Sequence, residues 1–346
     1  MKFNFTIDER IYEDYYCADY FKKTKAIIQK FHPNQVVTMQ WFQRKNQTVL
    51  CGIDYIKAIL KHSQVQDLHV EGLEDGTLVD ANEPVLKITG KYCDFAHFEG
   101  LFDGILSRAS SVATAAARLK KAANNKTIIN MNDRMDVFSA QQIDGYASIV
   151  GGIENLVTPA SFEYVLEKPI LNGTMPHALI AAFDGDLVAA TNAYLKTFPN
   201  HNLVALIDYN NDCITDGLKV AQVFQEKLFA VRLDTSKALV DKSLEGLTEV
   251  NDELHGVNPT LVKMLRQTFD DNGFKHIKII ASSGFDEAKI TWFEAEKTPV
   301  DIYGVGEALT KTKIHFTGDL VQINGKDQSK FGRKNTFSSR LKSIKY

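Results

Sequence analysis

The stretch "LVALIDYNNDCITDGLKVAQVFQEKLFAVRLDTS", residues 203–236, decides the fold class. A short apolar run ends on Asp208. A helical segment, Thr215 to Leu228, follows, and a second apolar run ends on Arg232, Asp234 and Thr235. Two short buried strands joined through a helix lie parallel. The same alternation extends in both directions. Before it come "TIIN" (127–130), the helical "FSAQQIDGYASIV", "IENLV" and "KPILNG", then helices from His177 to Thr197. After it come "NPTLVKMLRQTFDDNG", "HIKIIASSG", "DEAKITWFEAE" and "VDIYGVG". There are more units than a small doubly wound domain needs. The expectation is an α/β chain built on an irregular TIM-like (β/α) barrel over residues 111–310. Residues 1–110 read as an N-terminal α+β domain, with strands in "QVVTMQWFQ", "NQTVLCG" and "EPVLKITGKY" and a helix in "IDYIKAILKH". Residues 311–346 are expected to pack back on it. Between the two lies a long Ala-rich helical region whose "RASSVATAAAR" suits close packing and carries Arg108 and Arg118.

Composition bounds the function. With 44% hydrophobic and 24% charged residues the chain reads as globular, and a net charge of −3 gives no electrostatic support for a nucleic-acid partner. Four widely spaced cysteines, with no Cys-x-x-Cys pair, argue against a zinc site or a disulfide framework. The N-terminus lacks a signal-peptide pattern and no apolar run suits a membrane span, so a cytoplasmic protein without a membrane partner is expected.

The strand ends carry the chemistry. Asp208 closes one strand, and Arg232, Asp234 and Thr235 close the next. Ser282, Ser283 and Gly284, then Gly304 and Gly306, close the last two. Barrel enzymes act at this edge, and small residues there let backbone N–H groups reach phosphate oxygens. A lone Gly-x-Gly is usually a turn and a lone Arg-x-Asp a surface pair. Their recurrence on successive strand ends is what points to a site. "ILNGTMPHALIAAF" (170–183) adds a histidine where a helix begins: Thr174 can cap it, Pro176 suits its first turn, and His177 would stand among free N–H groups.

These segments resemble the nicotinate phosphoribosyltransferases of the wider type II phosphoribosyltransferase group. "GTMPHALI" is similar to that family's histidine motif and "VRLDTS" to its Arg-Leu-Asp-Ser-Gly segment. "SSGFDEAKI" and "VDIYGVGEAL" are similar to its two phosphate loops, and "SRASSVATAAAR" to the helix before its barrel. "DYFKKT" and "VVTMQWFQRKNQTVLCGIDYIKAIL" look like its compact members. The likeness runs from about residue 15 to 335. "NDRMDVF" stands where the family carries paired arginines, so Arg134 alone carries over, and no cysteine follows Cys213 to form the metal knuckle of some compact members.

The resemblance implies the reaction of nicotinate with phosphoribosyl pyrophosphate to give nicotinate mononucleotide and pyrophosphate, coupled to ATP hydrolysis and supported by Mg²⁺. His177 would be transiently phosphorylated by ATP. Asp208 and Asp234 would face a cationic ribose, and either could hold Mg²⁺ through water. Arg134 and Arg232 would hold pyrophosphate or carboxylate. Ser282, Ser283, Gly284, Gly304 and Gly306 would take the 5′-phosphate, with Thr174 and Thr235 as further substrate contacts. Tyr20 or Phe21 would stack on the pyridine ring, reaching the partner's barrel in a homodimer. "ENLVTPASF" holds no carboxylate at Thr158, Pro159, Ala160 or Ser161 to accept from an amide, which favours nicotinate over nicotinamide; the histidine motif argues against quinolinate. Two other classes compete. A sugar-phosphate lyase or aldolase would want a strand-end lysine, and none is evident. A nucleotide-sensing binding protein would not need His177, Asp208, Arg232 and Asp234 together.

Overall fold

The structure is a computed structural model that describes residues 2–63, 65–167, 175–245, 247 and 254–346. Six strands form an all-parallel sheet in the order Asn155–Leu156, Thr127–Asn130, Ile302–Val305, Lys278–Ala281, Leu228–Leu233, Leu203–Leu206. Their register brings Ile280 beside both Arg232 and Ile302, and Asn130 beside Val305. The strands are short and apolar because both faces are covered, as a parallel sheet requires. Helices Cys213–Phe224, Pro259–Asp271 and Glu287–Ala295 pack outside them around Leu265, Phe269 and Phe293. The result is a TIM-like half-barrel, mixed α/β as the alternation predicts. The strand expected in "KPILNG" lies outside the described residues.

A second sheet is antiparallel, ordered Lys326–Asp327, Thr317–Ile323, Val36–Phe42, Leu86–Lys91, His69–Gly72, Lys342–Ser343. Val36–Phe42 is central and almost wholly buried, flanked by Thr317–Ile323 and Leu86–Lys91. The strand expected over "NQTVLCG" narrows to Thr48–Val49, paired with Leu78–Val79.

Helix Glu99–Ala122 joins the two layers, and its small polar residues have a definite use. Ser110 Oγ accepts from Cys51 N at 3.0 Å and donates to Cys51 O at 3.1 Å. Thr114 Oγ1 accepts from Val49 N at 2.9 Å, and Ser111 Oγ accepts from Ile314 N at 2.8 Å. The helix thus satisfies the buried backbone of two crossing segments that make few ladder bonds of their own.

Helix Gln141–Val150 presses still closer. The Cβ of any residue other than glycine at Gly145 would collide with the Ser161 backbone. Gly145→Ala is therefore expected to lower stability by about 2 kcal/mol, on the scale of overpacking a tight contact, readable as a lower urea midpoint with an unchanged m-value.

Candidate active site

The C-terminal ends of the parallel strands open into a cleft of about 620 Å³ whose walls include Arg134, His177, Arg232, Asp234, Ser282, Ser283, Gly284, Gly304 and Gly306. The strands place most of these residues: Arg232 and Gly304 lie near the C-terminal ends of their strands, and Asp234, Ser282 and Gly306 follow theirs at once. The ladder of Leu228–Leu233 carries Arg232 and Asp234 out to the rim, and Lys278–Ala281 delivers Ser282 beside them.

One wall is built for an anion. Ser283 and Gly284 take left-handed backbone, φ 78° and 67°. A serine rarely adopts that conformation. The backbone N–H groups of Ser283, Gly284, Phe285, Gly306 and Glu307 have no acceptor among the described residues. Gly306 must lack a side chain, since a Cβ there would lie 2.8 Å from the Met131 carbonyl; at Gly304 one would lie 2.9 Å from Ser282 Cβ. These glycines serve close approach rather than unusual dihedrals.

Cations complete the wall. Arg232 is largely buried. Its nearest carboxylate is Asp234, at 3.8 Å, and its Nε has no hydrogen-bond partner among the described residues. Burial pushes its guanidinium below the usual range, with Arg134 adding like-charge repulsion against the attraction of Asp234 and Asp208. Arg134 is exposed and has no ion pair among the described residues. Two incompletely neutralised guanidinium groups and a row of free N–H groups around one cavity make a receptor for phosphate or carboxylate. Asp234 is fixed by Ser282 Oγ, which donates to its Oδ1 at 2.8 Å.

His177 lines the same cleft. Its Nε2 lies 3.1 Å and 3.2 Å from the two oxygens of Asp208, which is nearly buried behind it. Burial raises the Asp208 carboxyl above the usual carboxylate range, an effect His177 opposes and Asp234 reinforces. Asp208 does not itself line the cleft; it reaches the site through His177. The local geometry differs from the sequence expectation. Pro176 precedes the helix as its cap, without a side-chain bond, and the helix His177–Ala181 is five residues long. So short a helix has little dipole, and the charged group in contact with His177 is the Asp208 carboxylate.

The segment bearing Arg134 is braced from behind. Arg108 grips Asp144 with Nε and Nη2, both at 2.7 Å, and reaches Asp136 at 2.9 Å. Asn132 Nδ2 donates to the same Asp144, and Gln141 Nε2 donates to the Asp133 carbonyl at 2.9 Å. Thr158, also on the cleft wall, spends its hydroxyl on Gln141 Oε1 at 2.9 Å. Nothing local in the sequence signals this network, because its members come from three separate segments. Arg118 is not part of it; it borders a neighbouring hollow with Trp292.

Not every expected residue converges. Thr235 is buried, with its hydroxyl 3.6 Å from Cys213 Sγ, and does not line the cleft. Beyond the strand end at Leu233, Asp234 faces the opening while the Thr235 side chain turns into the packing beside Cys213. Tyr20 and Phe21 sit on helix Asp19–Phe31 and are not among the residues lining this chain's own cleft; their rings are 4.4 Å from each other. Thr174 lies outside the described residues. The described residues hold no group of three or more potential metal-ligating side chains, and none of their helices is long and apolar enough to cross a membrane.

Comparison with known proteins is consistent across sequence and structure. Residues 19–110 match the family description "Quinolinate phosphoribosyl transferase, N-terminal domain". A nicotinate phosphoribosyltransferase of Mycobacterium tuberculosis is 26% identical over 279 residues, covering 76% of this chain and 55% of that protein. The chain thus spans about half the length of the curated relatives it matches. The crystal structure of a nicotinate-nucleotide pyrophosphorylase from Pyrococcus furiosus superposes with a TM-score of 0.80 at 30% identity, covering 96% of this chain and 82% of that one. Human nicotinic acid phosphoribosyltransferase shares the fold at a TM-score of 0.69 and 17% identity, over 92% of this chain and 77% of that one.

Proposed function

We propose, from the premise that this chain belongs to the nicotinate and quinolinate phosphoribosyltransferase family, that it is a nicotinate phosphoribosyltransferase of NAD biosynthesis. In this reading nicotinate, phosphoribosyl pyrophosphate, ATP and water give nicotinate mononucleotide, pyrophosphate, ADP and phosphate. The observation that carries the reading is the single cleft in which the His177–Asp208 pair faces Arg232, Asp234 and the free N–H groups of two loops.

Each part has a task in that reaction. The ribose carbon loses pyrophosphate and gains a ring nitrogen through a cationic transition state, which needs positioning and charge rather than a strong base. Asp234 supplies negative charge at the rim. The loops at Ser283–Gly284 and Gly304–Gly306 hold the 5′-phosphate, with Ser282 positioning Asp234 between them. Arg232 and Arg134 hold pyrophosphate or the nicotinate carboxylate in bidentate fashion. Asp234 offers a cleft carboxylate that would hold Mg²⁺ through water, where the ion would neutralise the leaving pyrophosphate, while Asp208 is taken up by His177. His177 accepts the γ-phosphoryl group of ATP and thereby tunes the site for phosphoribosyl pyrophosphate.

The enzyme acts as a homodimer in this reading. No residue of helix Asp19–Phe31 is buried, and Tyr15, Tyr16, Tyr20, Ile27 and Phe31 are exposed close together in sequence. Apolar rings in that number suit burial against a second copy, whose cleft Tyr20 or Phe21 would enter to stack on the base.

The family description matched by residues 19–110, a quinolinate phosphoribosyltransferase N-terminal domain, raises quinolinate as a second reading. That dicarboxylate would need an additional cation beside the ring; the wall at Val157 and Thr158 carries none, and the cleft's third cation, Lys311, is paired with Glu307 at 2.9 Å. The same wall carries no carboxylate to accept from nicotinamide. The test is pyrophosphate release with nicotinate, nicotinamide and quinolinate in parallel, with and without ATP. Nicotinate is expected to be used at least tenfold better than either rival and to be stimulated by ATP. Equal use of nicotinamide would overturn the reading of residues 154–162.

A further inference from the structure

We propose that Lys289 is a positioning residue that aims the Ser283–Gly284 turn at the phosphate of the sugar substrate. Lys289 lies on helix Glu287–Ala295 and does not line the cleft. Its ammonium group donates to the Ser283 carbonyl at 3.2 Å and rests over the Phe285 ring at 4.4 Å and the Phe293 ring at 5.9 Å. No carboxylate forms an ion pair with it among the described residues. A cation on a flexible stem rarely stays half-buried against two aromatic faces and one carbonyl unless something holds it there.

The carbonyl contact has a geometric consequence. A trans peptide points its C=O and the following N–H in opposite directions. Holding the Ser283 carbonyl from behind therefore turns the Gly284 N–H forward, toward the cleft, where it has no protein acceptor. The same contact restrains Ser283 in its left-handed conformation, φ 78°, which a serine would otherwise leave. The positive charge also stays close behind an anion seated on the turn, with little water between to screen it. Burial lowers the Lys289 ammonium to about 8, with Asp286 the opposing influence, so a bound phosphate would stabilise its charged form.

This inference rests on the reading of the cleft as a phosphoribosyl site, and the test separates the two. Ribose 5-phosphate binding to the full chain is measured by calorimetry, without nicotinate or ATP, for the wild type, Lys289→Met and Lys289→Arg. The Met variant keeps the apolar stem over the rings and removes the charge and the donor. The expected result is wild-type binding, at least tenfold weaker binding by Lys289→Met, and binding restored to within about threefold by Lys289→Arg. In turnover, KM for phosphoribosyl pyrophosphate should rise while kcat stays within about twofold, a split that general destabilisation would not give. Should Lys289→Met fail to fold, Lys289→Gln, neutral but still a donor, is expected to show at least threefold weaker binding. Equal binding by the wild type and the neutral variant that folds overturns the role of Lys289. Absence of binding by the wild type overturns the reading of the cleft and Lys289 with it.

Discussion

Asp234→Asn is expected to lower kcat by roughly 10²-fold or more, the scale of losing one preorganised electrostatic group. The substitution is nearly isosteric. The new side-chain amide would keep an oxygen for the Ser282 hydroxyl, which now reaches Asp234 at 2.8 Å, so the rim should hold its shape. What disappears is the negative charge beside the carbon at which positive charge develops. Because that positive charge is absent from the ground-state sugar, the loss should fall on kcat more than on KM. A second effect runs the other way. Arg232, 3.8 Å from the lost charge, becomes freer to bind anions, so affinity for pyrophosphate should hold or improve. Steady-state pyrophosphate release and product inhibition by pyrophosphate check both halves. An unchanged kcat in a normally folded variant would make Asp234 a structural partner of Arg232 and Ser282.

How much of this was legible beforehand depends on the range of the interactions involved. The parallel sheet was legible because its strands are buried on both faces and spaced by helices, so hydrophobic runs alone mark "LVALI", "LFAVRL" and "KIIA". Their terminal residues were legible for the same reason: once the strand ends at Leu233, Asp234 has to emerge at the rim. The antiparallel sheet was less so. That Val36–Phe42 pairs with Thr317–Ile323 and that Lys342–Ser343 pairs with Glu71–Gly72 are contacts across most of the chain, and no local pattern encodes them. Helix Asp19–Phe31 was not expected from residue pattern at all. Its inward stripe, Phe21, Thr24, Lys25 and Ile28, is only half-buried, and charged residues interrupt it, so the signal of a core-facing helix is weak. Thr235 shows the reverse limit: a residue adjacent to the site in sequence turns away from it into the packing beside Cys213, which no local pattern announces. Lys289 and the Arg108–Asp144 brace were invisible for a third reason. Their significance lies in what stands behind a loop, and only the packed structure supplies that.

His177→Asn is expected to keep the fold, abolish coupled ATP hydrolysis, and leave a slow ATP-independent transfer with a raised KM for phosphoribosyl pyrophosphate. The structure sharpens the chemistry behind this expectation. Nε2 faces the Asp208 carboxylate at 3.1 Å, so that nitrogen carries the proton and Nδ1 keeps the lone pair. In the proposed step Nδ1 attacks the γ-phosphorus of ATP, the bond to the bridging oxygen breaks, and ADP leaves with the electron pair. The resulting imidazolium keeps its Nε2 proton against Asp208, whose buried charge balances it. Hydrolysis of the N–P bond after product formation returns the neutral ring. Asn at this position retains some hydrogen bonding to Asp208 but cannot carry a phosphoryl group. Asp208→Asn should separate the two roles: the nucleophile remains while its tautomer and its charge partner are lost, so phosphorylation should slow without disappearing. Incubation with γ-labelled ATP should give acid-labile label on the wild type, less on Asp208→Asn, and none on His177→Asn. The loss of activated binding should appear mainly in KM for phosphoribosyl pyrophosphate. Normal ATP hydrolysis by His177→Asn in the presence of nicotinate would make His177 a packing residue at the cleft edge, and the coupling would need another acceptor.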